Sequence, residues 1–210
     1  MVAAGEDAAR PFRPLVAFDF DGTLTWRDSF RAFLAWHCGR RRYAQGLARL
    51  LPAAAAWTRD KDRGALKAAM LREFLAGARQ SDLAAAAERF AAQAAPRLLR
   101  PDALRAWRRW READARLVIV TASPEILVAP FGRGLGAEAV IGTRLSVSPE
   151  GFITGALNGP NCRGPEKVVR LEAAYGQGVR LEAAYGDSDG DTAMLAISDQ
   201  PGMKVFGERP

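Results

Sequence analysis

Val16-Ala17-Phe18-Asp19-Phe20-Asp21-Gly22-Thr23-Leu24-Thr25 is the stretch from which the rest of the chain can be read. An apolar run of strand character, Leu15 to Phe18, ends at two acids two positions apart. Side chains alternate across a strand, so Asp19 and Asp21 leave it on the same side. Gly22 lets the chain turn sharply, and Thr23 offers a hydroxyl beside the acids. Two carboxylates held together each disfavour ionisation of the other. A divalent cation relieves that cost, and hard oxygen ligands suit Mg²⁺. The stretch reads as a strand closed by an Asp-Gly turn, or as the first part of a metal site. The sequence downstream has to decide between them.

Beyond Thr25 the pattern turns helical. Asp28 is placed to cap a helix carrying Phe30, Phe33, Leu34 and Trp36 near one face. A second helix is expected from about Tyr43 to Trp57, with a break or kink at Pro52. A third runs from Gly64 to Leu75, and a fourth from Leu83 to Ala95 is opened by Ser81-Asp82 and closed by Pro96. Pro101 opens a fifth. Residues from about 27 to 100 thus form an alanine-rich helical block between two strands, expected to make a small cap rather than a core of its own.

The strand signal returns at Arg116-Leu117-Val118-Ile119-Val120, a nearly continuous apolar run typical of a strand buried on both faces. It ends at Thr121-Ala122-Ser123-Pro124, where Ser123 either caps the next helix or touches a ligand. Strands are further expected at Ala139–Gly142, on both sides of Ser148-Pro149-Glu150-Gly151, and at Met203–Phe206. Helices are expected from Pro165 and over Asp191–Ile197. Strands alternating with helices argue for an α/β protein with a parallel sheet. The octamer Val-Arg-Leu-Glu-Ala-Ala-Tyr-Gly occurs twice, at 169–176 and at 179–186. The first copy continues the helix from Pro165 and ends at a glycine cap. The second precedes Asp187 and is expected as a strand, one sequence in two conformations set by tertiary context.

Three more elements carry chemistry. Thr121 sits at the C-terminal end of a parallel strand, where such sheets bind ligands. Lys167 falls in the first turn of a helix, where a cation is electrostatically misplaced. It either points away or neutralises an anion and the acids of the opening stretch. Gly186-Asp187-Ser188-Asp189-Gly190-Asp191 holds three acids in five residues. As a calcium loop it fails, because the twelfth position is Ser198 rather than Glu. Acids at a strand end, near another acid pair, make a better Mg²⁺ site.

In order, D-x-D, a strand-end Thr, a Lys and G-D-S-x-x-D resemble the motif set of the haloacid dehalogenase-like phosphatases, over roughly residues 14–26 and 112–206. The resemblance implies a Rossmann-like parallel sheet with an inserted α-helical cap. The core would be 1–26 plus 112–210, with 1–13 a flexible tail, and the cap and its connection 27–111. By motif, Asp19 would be nucleophile and metal ligand, and Asp21 general acid/base with its carbonyl on the metal. Thr121, Lys167, Gly22 and Ala122 would hold the phosphoryl group. Asp187 would ligate Mg²⁺ and Asp191 would support it from behind. Asp28, Ser123 and Asn161 are candidate substrate contacts. The insert's position and composition resemble the phosphoserine phosphatase-like subfamily. The second motif there is usually Ser-Gly-Gly, against Thr121-Ala122-Ser123 here, and a cap glutamate stands where this chain has Asp28. The strings T-A-S-P and N-C-R-G-P-E-K are more similar to a bacterial branch that includes phosphatidylglycerophosphatase C and a cell-morphology protein. The implied activity is Mg²⁺-dependent phosphomonoester hydrolysis through an aspartyl-phosphate, on a lipid head-group phosphate or on phosphoserine or another small metabolite. A regulatory binding factor on the same scaffold is the alternative of another class.

Composition narrows the choice. With 210 residues, 49% apolar and 26% charged, the chain suits one buried domain with a smaller insert. Its net charge of +6 fits anionic partners such as a phosphorylated metabolite, nucleic acid or an anionic membrane surface, and the resemblance adds a lipid head group. No nucleic-acid motif accompanies it, so nucleic acid is not expected. His37 is the only histidine, which argues against a serine-hydrolase triad and excludes His-rich metal sites. Cys38 and Cys162 are too few for a disulfide framework and read as reduced thiols. Cytoplasmic residence, with peripheral contact at the inner membrane compatible, is the expectation; oligomeric state is left open.

Overall fold

The computed structural model describes residues 13–51 and 63–210. The expected tail up to residue 12, and Pro52 and Trp57 of the expected second helix, lie outside the described residues. Five parallel strands form the main sheet in the order β3-β2-β1-β6-β7. They are β1 (Leu15–Phe18), β2 (Arg116–Pro124), β3 (Ala139–Thr143), β6 (Leu181–Gly186) and β7 (Ser198–Met203). A hairpin of β4 (Leu145–Val147) and β5 (Ile153–Leu157) stands apart from the sheet.

Strand alternation sorts the core into two layers. Val16, Phe18, Leu117 and Ile119 point to one face, and Leu15, Ala17, Val118 and Val120 to the other. On the second face they meet Leu171 of α6 (Pro165–Tyr175) and Met194 and Leu195 of α7 (Thr192–Ala196). On the first they meet Trp107 of α4 (Pro101–Glu112) and Leu127 and Phe131 of α5 (Glu125–Leu135). That first layer continues without a break into the helices inserted between β1 and β2. These are α1 (Ser29–Arg49), α2 (Arg63–Leu75) and α3 (Gln80–Leu98), which contribute Phe33, Leu34, Leu71, Leu75, Leu83 and Phe90 to the same cluster. Alanines 86, 87 and 91 let α3 approach closely, so the insert buries its apolar stripe against the sheet layer.

Several boundaries differ from the sequence expectation. α1 consists of two helical stretches that meet at a kink at Gly39, φ 74°, ψ 155°, so the two expected helices are there but join at Gly39 instead of near Tyr43. Pro96 lies inside α3 instead of closing it: the helix runs on to Leu98, and Leu99 N–H still donates to Ala95 O at 3.0 Å. The final strand is Ser198–Met203, earlier than Met203–Phe206. Phe206 instead stacks among Phe18 and Tyr185. The repeated octamer does adopt two conformations: the first copy completes α6 and the second is β6.

The insert joins the core through two segments paired with each other. Trp26 N–H donates to Leu98 O at 3.0 Å, and Arg100 N–H to Leu24 O at 2.8 Å. The hairpin supports α2 and α3 from the far side, through Gly77 N–H to Ile153 O at 2.8 Å and Gln80 N–H to Gly151 O at 2.9 Å.

Candidate active site

In an open parallel sheet the ligand crevice lies at the carboxyl ends of the strands, where the order of connection reverses. Here that point is between β1 and β6. Asp19 follows β1, Asp187 follows β6, and Thr121 lies in the C-terminal part of β2. A cleft of about 800 Å³ opens there, and all eleven residues named from the motifs line it: Asp19, Asp21, Gly22, Asp28, Thr121, Ala122, Ser123, Asn161, Lys167, Asp187 and Asp191.

Lys167 is the centre of the floor. It is buried, and Nζ donates to Asp19 Oδ1 at 2.7 Å, Asp191 Oδ1 at 2.6 Å and Val120 O at 2.6 Å. An ammonium has three donors, so Lys167 is satisfied within the protein. Burial works against its charge, but Asp19 and Asp191 outweigh that and raise its pKa. Asp19 goes the other way. Burial pushes its carboxyl up to about 7; Lys167 opposes the rise, and the charges of Asp191 and Asp21 add to it. Asp187 is raised as well, by burial and then by Asp191. Burial also disfavours ionised Asp191, yet Lys167 and hydrogen bonds from the Ser188 and Asp187 amides outweigh it and hold the pKa low. Those amides donate to Asp191 Oδ2 at 3.0 and 3.1 Å, and Ser188 Oγ lies 3.1 Å away.

The floor therefore holds more negative than positive charge. Ligand oxygens of Asp19, Asp187 and Asp191 lie within 4.8 Å of one another. An all-carboxylate donor set with excess negative charge fits a hard divalent cation such as Mg²⁺. Asp191 is already occupied by Lys167 and backbone amides, which leaves Asp19 and Asp187 as the side chains best able to hold the ion. Gly22 makes room: its φ is +85°, and a Cβ there would overlap the Asp187 carboxylate.

Asp21 is held by a separate set of partners. Its Oδ1 accepts from Ser29 N–H at 2.6 Å, at the start of α1, and its Oδ2 from Ser123 Oγ at 2.5 Å. Of the two roles the sequence leaves to Ser123, the helix cap is therefore not taken up. β2 extends to Pro124, α5 starts at Glu125 without a side-chain cap, and the Ser123 hydroxyl is turned to the acid. Thr121 Oγ1 accepts from Ser123 N–H at 3.0 Å, which frees its own proton for an acceptor in the cleft. Asp28 lines the cleft but also caps α1, with Oδ1 accepting from Arg31 N–H at 2.8 Å. Asn161 Oδ1 lies 2.9 Å from Thr143 Oγ1. Cys162 is fully buried, and burial pushes its thiol up to about 11.

Sequence reading missed the upper wall. Phe30, Leu47, Leu50, Leu51, Leu66 and Met70 form it, with Trp26, Arg27 and Arg31 beside them. It also missed Lys67 on α2, whose Nζ reaches Ala122 O and, at 2.8 Å, Asn161 Oδ1. Burial pulls Lys67 down to about 8, against the upward pull of Asp21 and Asp28. One signal was available. The chain has only four lysines, at 61, 67, 167 and 204, among twenty-six arginines, so each lysine marks a departure from its habit.

The haloacid dehalogenase-like hydrolase family model matches residues 16–196, and the chain belongs to that family. It is 53% identical, over an alignment of 216 residues, to Protein CicA of Caulobacter vibrioides, covering all of this chain and 97% of CicA. Among solved structures it is similar to a protein with unknown function from Bordetella pertussis Tohama I, at a TM-score of 0.72 and 25% identity over 90% of this chain and 88% of that one. A phospho-aspartyl intermediate analogue of phosphoserine phosphatase shares the fold, with a TM-score of 0.55 and 20% identity over 90% and 85% of the two chains.

Proposed function

We propose that the protein is a Mg²⁺-dependent phosphomonoester hydrolase that works through a phosphorylated Asp19. The observation carrying this reading is the buried Lys167–Asp19 contact at 2.7 Å beside Asp187, whose pKa burial and the charge of Asp191 raise. It keeps one carboxylate oxygen occupied at the end of β1, in a floor whose remaining charge calls for a cation. The division into a core, 1–26 with 112–210, and a helical cap, 27–111, belongs to the same proposal.

In the proposed reaction the Asp19 carboxylate attacks phosphorus and the ester oxygen departs in line. Asp21, oriented by Ser123 Oγ and Ser29 N–H, gives that oxygen its proton. It then takes a proton from the water that hydrolyses the acyl phosphate. The free Thr121 hydroxyl proton and the Ala122 amide serve the phosphoryl oxygens, with Gly22 and Lys167 beside them. Mg²⁺ bound at Asp19 and Asp187 supplies charge neutralisation for the phosphoryl group. The insert over the cleft keeps bulk water from the acyl phosphate.

For the leaving group we favour a lipid head-group phosphate. Six apolar side chains above the floor, with Arg27 and Arg31 at the same wall, suit an amphiphilic anionic ester. Asp28, the position where an amino group of phosphoserine would be read, already spends one oxygen on capping α1. Peripheral contact with an anionic membrane belongs to this reading; among the described residues no helix is long and apolar enough to cross one. The test is phosphate release from phosphoserine, glycerol phosphate and micellar phosphatidylglycerophosphate, with and without EDTA. The proposal expects EDTA-sensitive turnover, fastest on the micellar lipid. Leu50→Gln should slow the lipid about tenfold, since a buried apolar contact is worth 1–3 kcal/mol, and leave glycerol phosphate unchanged. Faster turnover of phosphoserine would contradict the lipid assignment.

A further inference from the structure

Lys67 reaches from the insert into the polar network beneath the cleft, and the arithmetic of that network makes it necessary. Two acceptors, Ala122 O and Asn161 Oδ1, face Thr143 Oγ1 at 2.6 and 2.9 Å. A hydroxyl has one proton and serves one of them at a time. The other depends on the ammonium of Lys67, which contacts both. The Thr143 oxygen is itself engaged as acceptor by Cys162 N–H at 3.1 Å. Ala122 O belongs to the Ala122–Ser123 peptide, whose N–H is bonded to Thr121 Oγ1, and the Ser123 hydroxyl holds Asp21. One peptide unit thus links Lys67 to the Thr121 hydroxyl and to Asp21, and the Asn161 side chain links it to the loop after β5.

We propose that Lys67 is a positioning residue that couples the seating of α2 over the cleft to the alignment of Thr121, Ser123 and Asp21. This rests on the hydrolase reading above. With α2 seated, both acceptors are satisfied and the Ala122–Ser123 peptide is held at both its ends. With α2 lifted, two acceptors compete for one hydroxyl proton and the peptide is free to turn. Chemistry is then matched to the closed cleft, where water is excluded, and the effect belongs in kcat rather than in substrate affinity.

The experiment compares Lys67→Met, Lys67→Arg, Asn161→Ala and the Lys67→Met/Asn161→Ala pair in the full chain. Lys67→Met should lower kcat about 10- to 100-fold, the range expected for losing a charge-assisted hydrogen bond, with KM changed less than about threefold. Lys67→Arg, which keeps a cationic donor, should recover most of the loss. The double variant should be no slower than Lys67→Met, because both changes cut the same network. A raised KM at constant kcat would mean that Lys67 touches the leaving group instead, and would overturn the proposal, as would an unaffected kcat. A second readout needs no substrate. In amide NMR spectra Lys67→Met should move the Ser123 and Cys162 resonances and leave those of β7 in place; unmoved Ser123 and Cys162 overturn the proposal. Should the wild type release no phosphate from any ester while those amides still move, the hydrolase reading fails and the positioning contact stands.

Discussion

Replacing Lys167 by methionine removes the ammonium that contacts both buried acids, Asp19 and Asp191. Breaking a buried pair by deleting one partner costs about 3–5 kcal/mol, because the remaining charge is stranded. The stranded acids can escape by taking up protons, so the cost depends on pH. In the wild type Asp19 already stands at about 7 against 3.8 unfolded. A carboxyl raised on folding favours the native state at low pH and loses that contribution as pH climbs through the folded value. Without Lys167, the strongest influence lowering it, Asp19 rises further and Asp191 rises with it. The variant should therefore lose about 3–5 kcal/mol at pH 8 and about half of that at pH 5.5, where Asp19 is neutral in both proteins. Urea unfolding followed by tryptophan fluorescence in EDTA measures this. With a slope of about 2–3 kcal/mol per molar, the pH 8 midpoint should fall by about 1–2.5 M. An equal loss at both pH values, or a variant as stable as wild type at pH 8, would refute the reasoning.

Further outcomes follow from the same floor. Mg²⁺ should protect the wild type against urea more at pH 8 than at pH 5.5, since Asp19 and Asp187, both raised, must be ionised to bind it. Equal protection at both pH values would argue that the ion sits elsewhere. Gly22→Ala places a methyl group on the Asp187 carboxylate in a left-handed conformation. It should weaken Mg²⁺ binding at least tenfold in a calorimetric titration and destabilise the fold by about 1–2 kcal/mol. Ser123→Ala strips the 2.5 Å hydroxyl donor from Asp21 and should reduce kcat about 10- to 100-fold, with urea stability nearly unchanged; full activity would remove Ser123 from the account.

What the sequence made legible was whatever depended on short-range geometry. Two acids after an apolar strand, a threonine at a strand end and G-D-S-x-x-D all project from strand ends, and in a parallel sheet those ends converge. The twice-used octamer was readable for the same reason. Pro165 starts a helix through the first copy, while Gly176 and Gly178, both with positive φ, break before the second. Of the two roles open to Ser123, the cap suggested by Ser-Pro before a helix is not the one adopted, since only the fold brings Asp21, 102 residues away in sequence, within 2.5 Å of its hydroxyl. Lys67 and the apolar wall stayed hidden because alanine-rich helices give a weak periodic signal. Which face of α2 meets the cleft is set by packing of Met70, Leu71, Phe74 and Leu75, not by its pattern.

The central claim is that Asp19 carries the phosphoryl group. The direct measurement is an acid quench of the enzyme with ³²P-labelled ester and Mg²⁺, followed by peptide mapping. The account predicts alkali-labile label on the peptide containing Asp19, absent in Asp19→Asn and in EDTA. Phosphate release that proceeds in Asp19→Asn at wild-type rate, or label on any other residue, would contradict it.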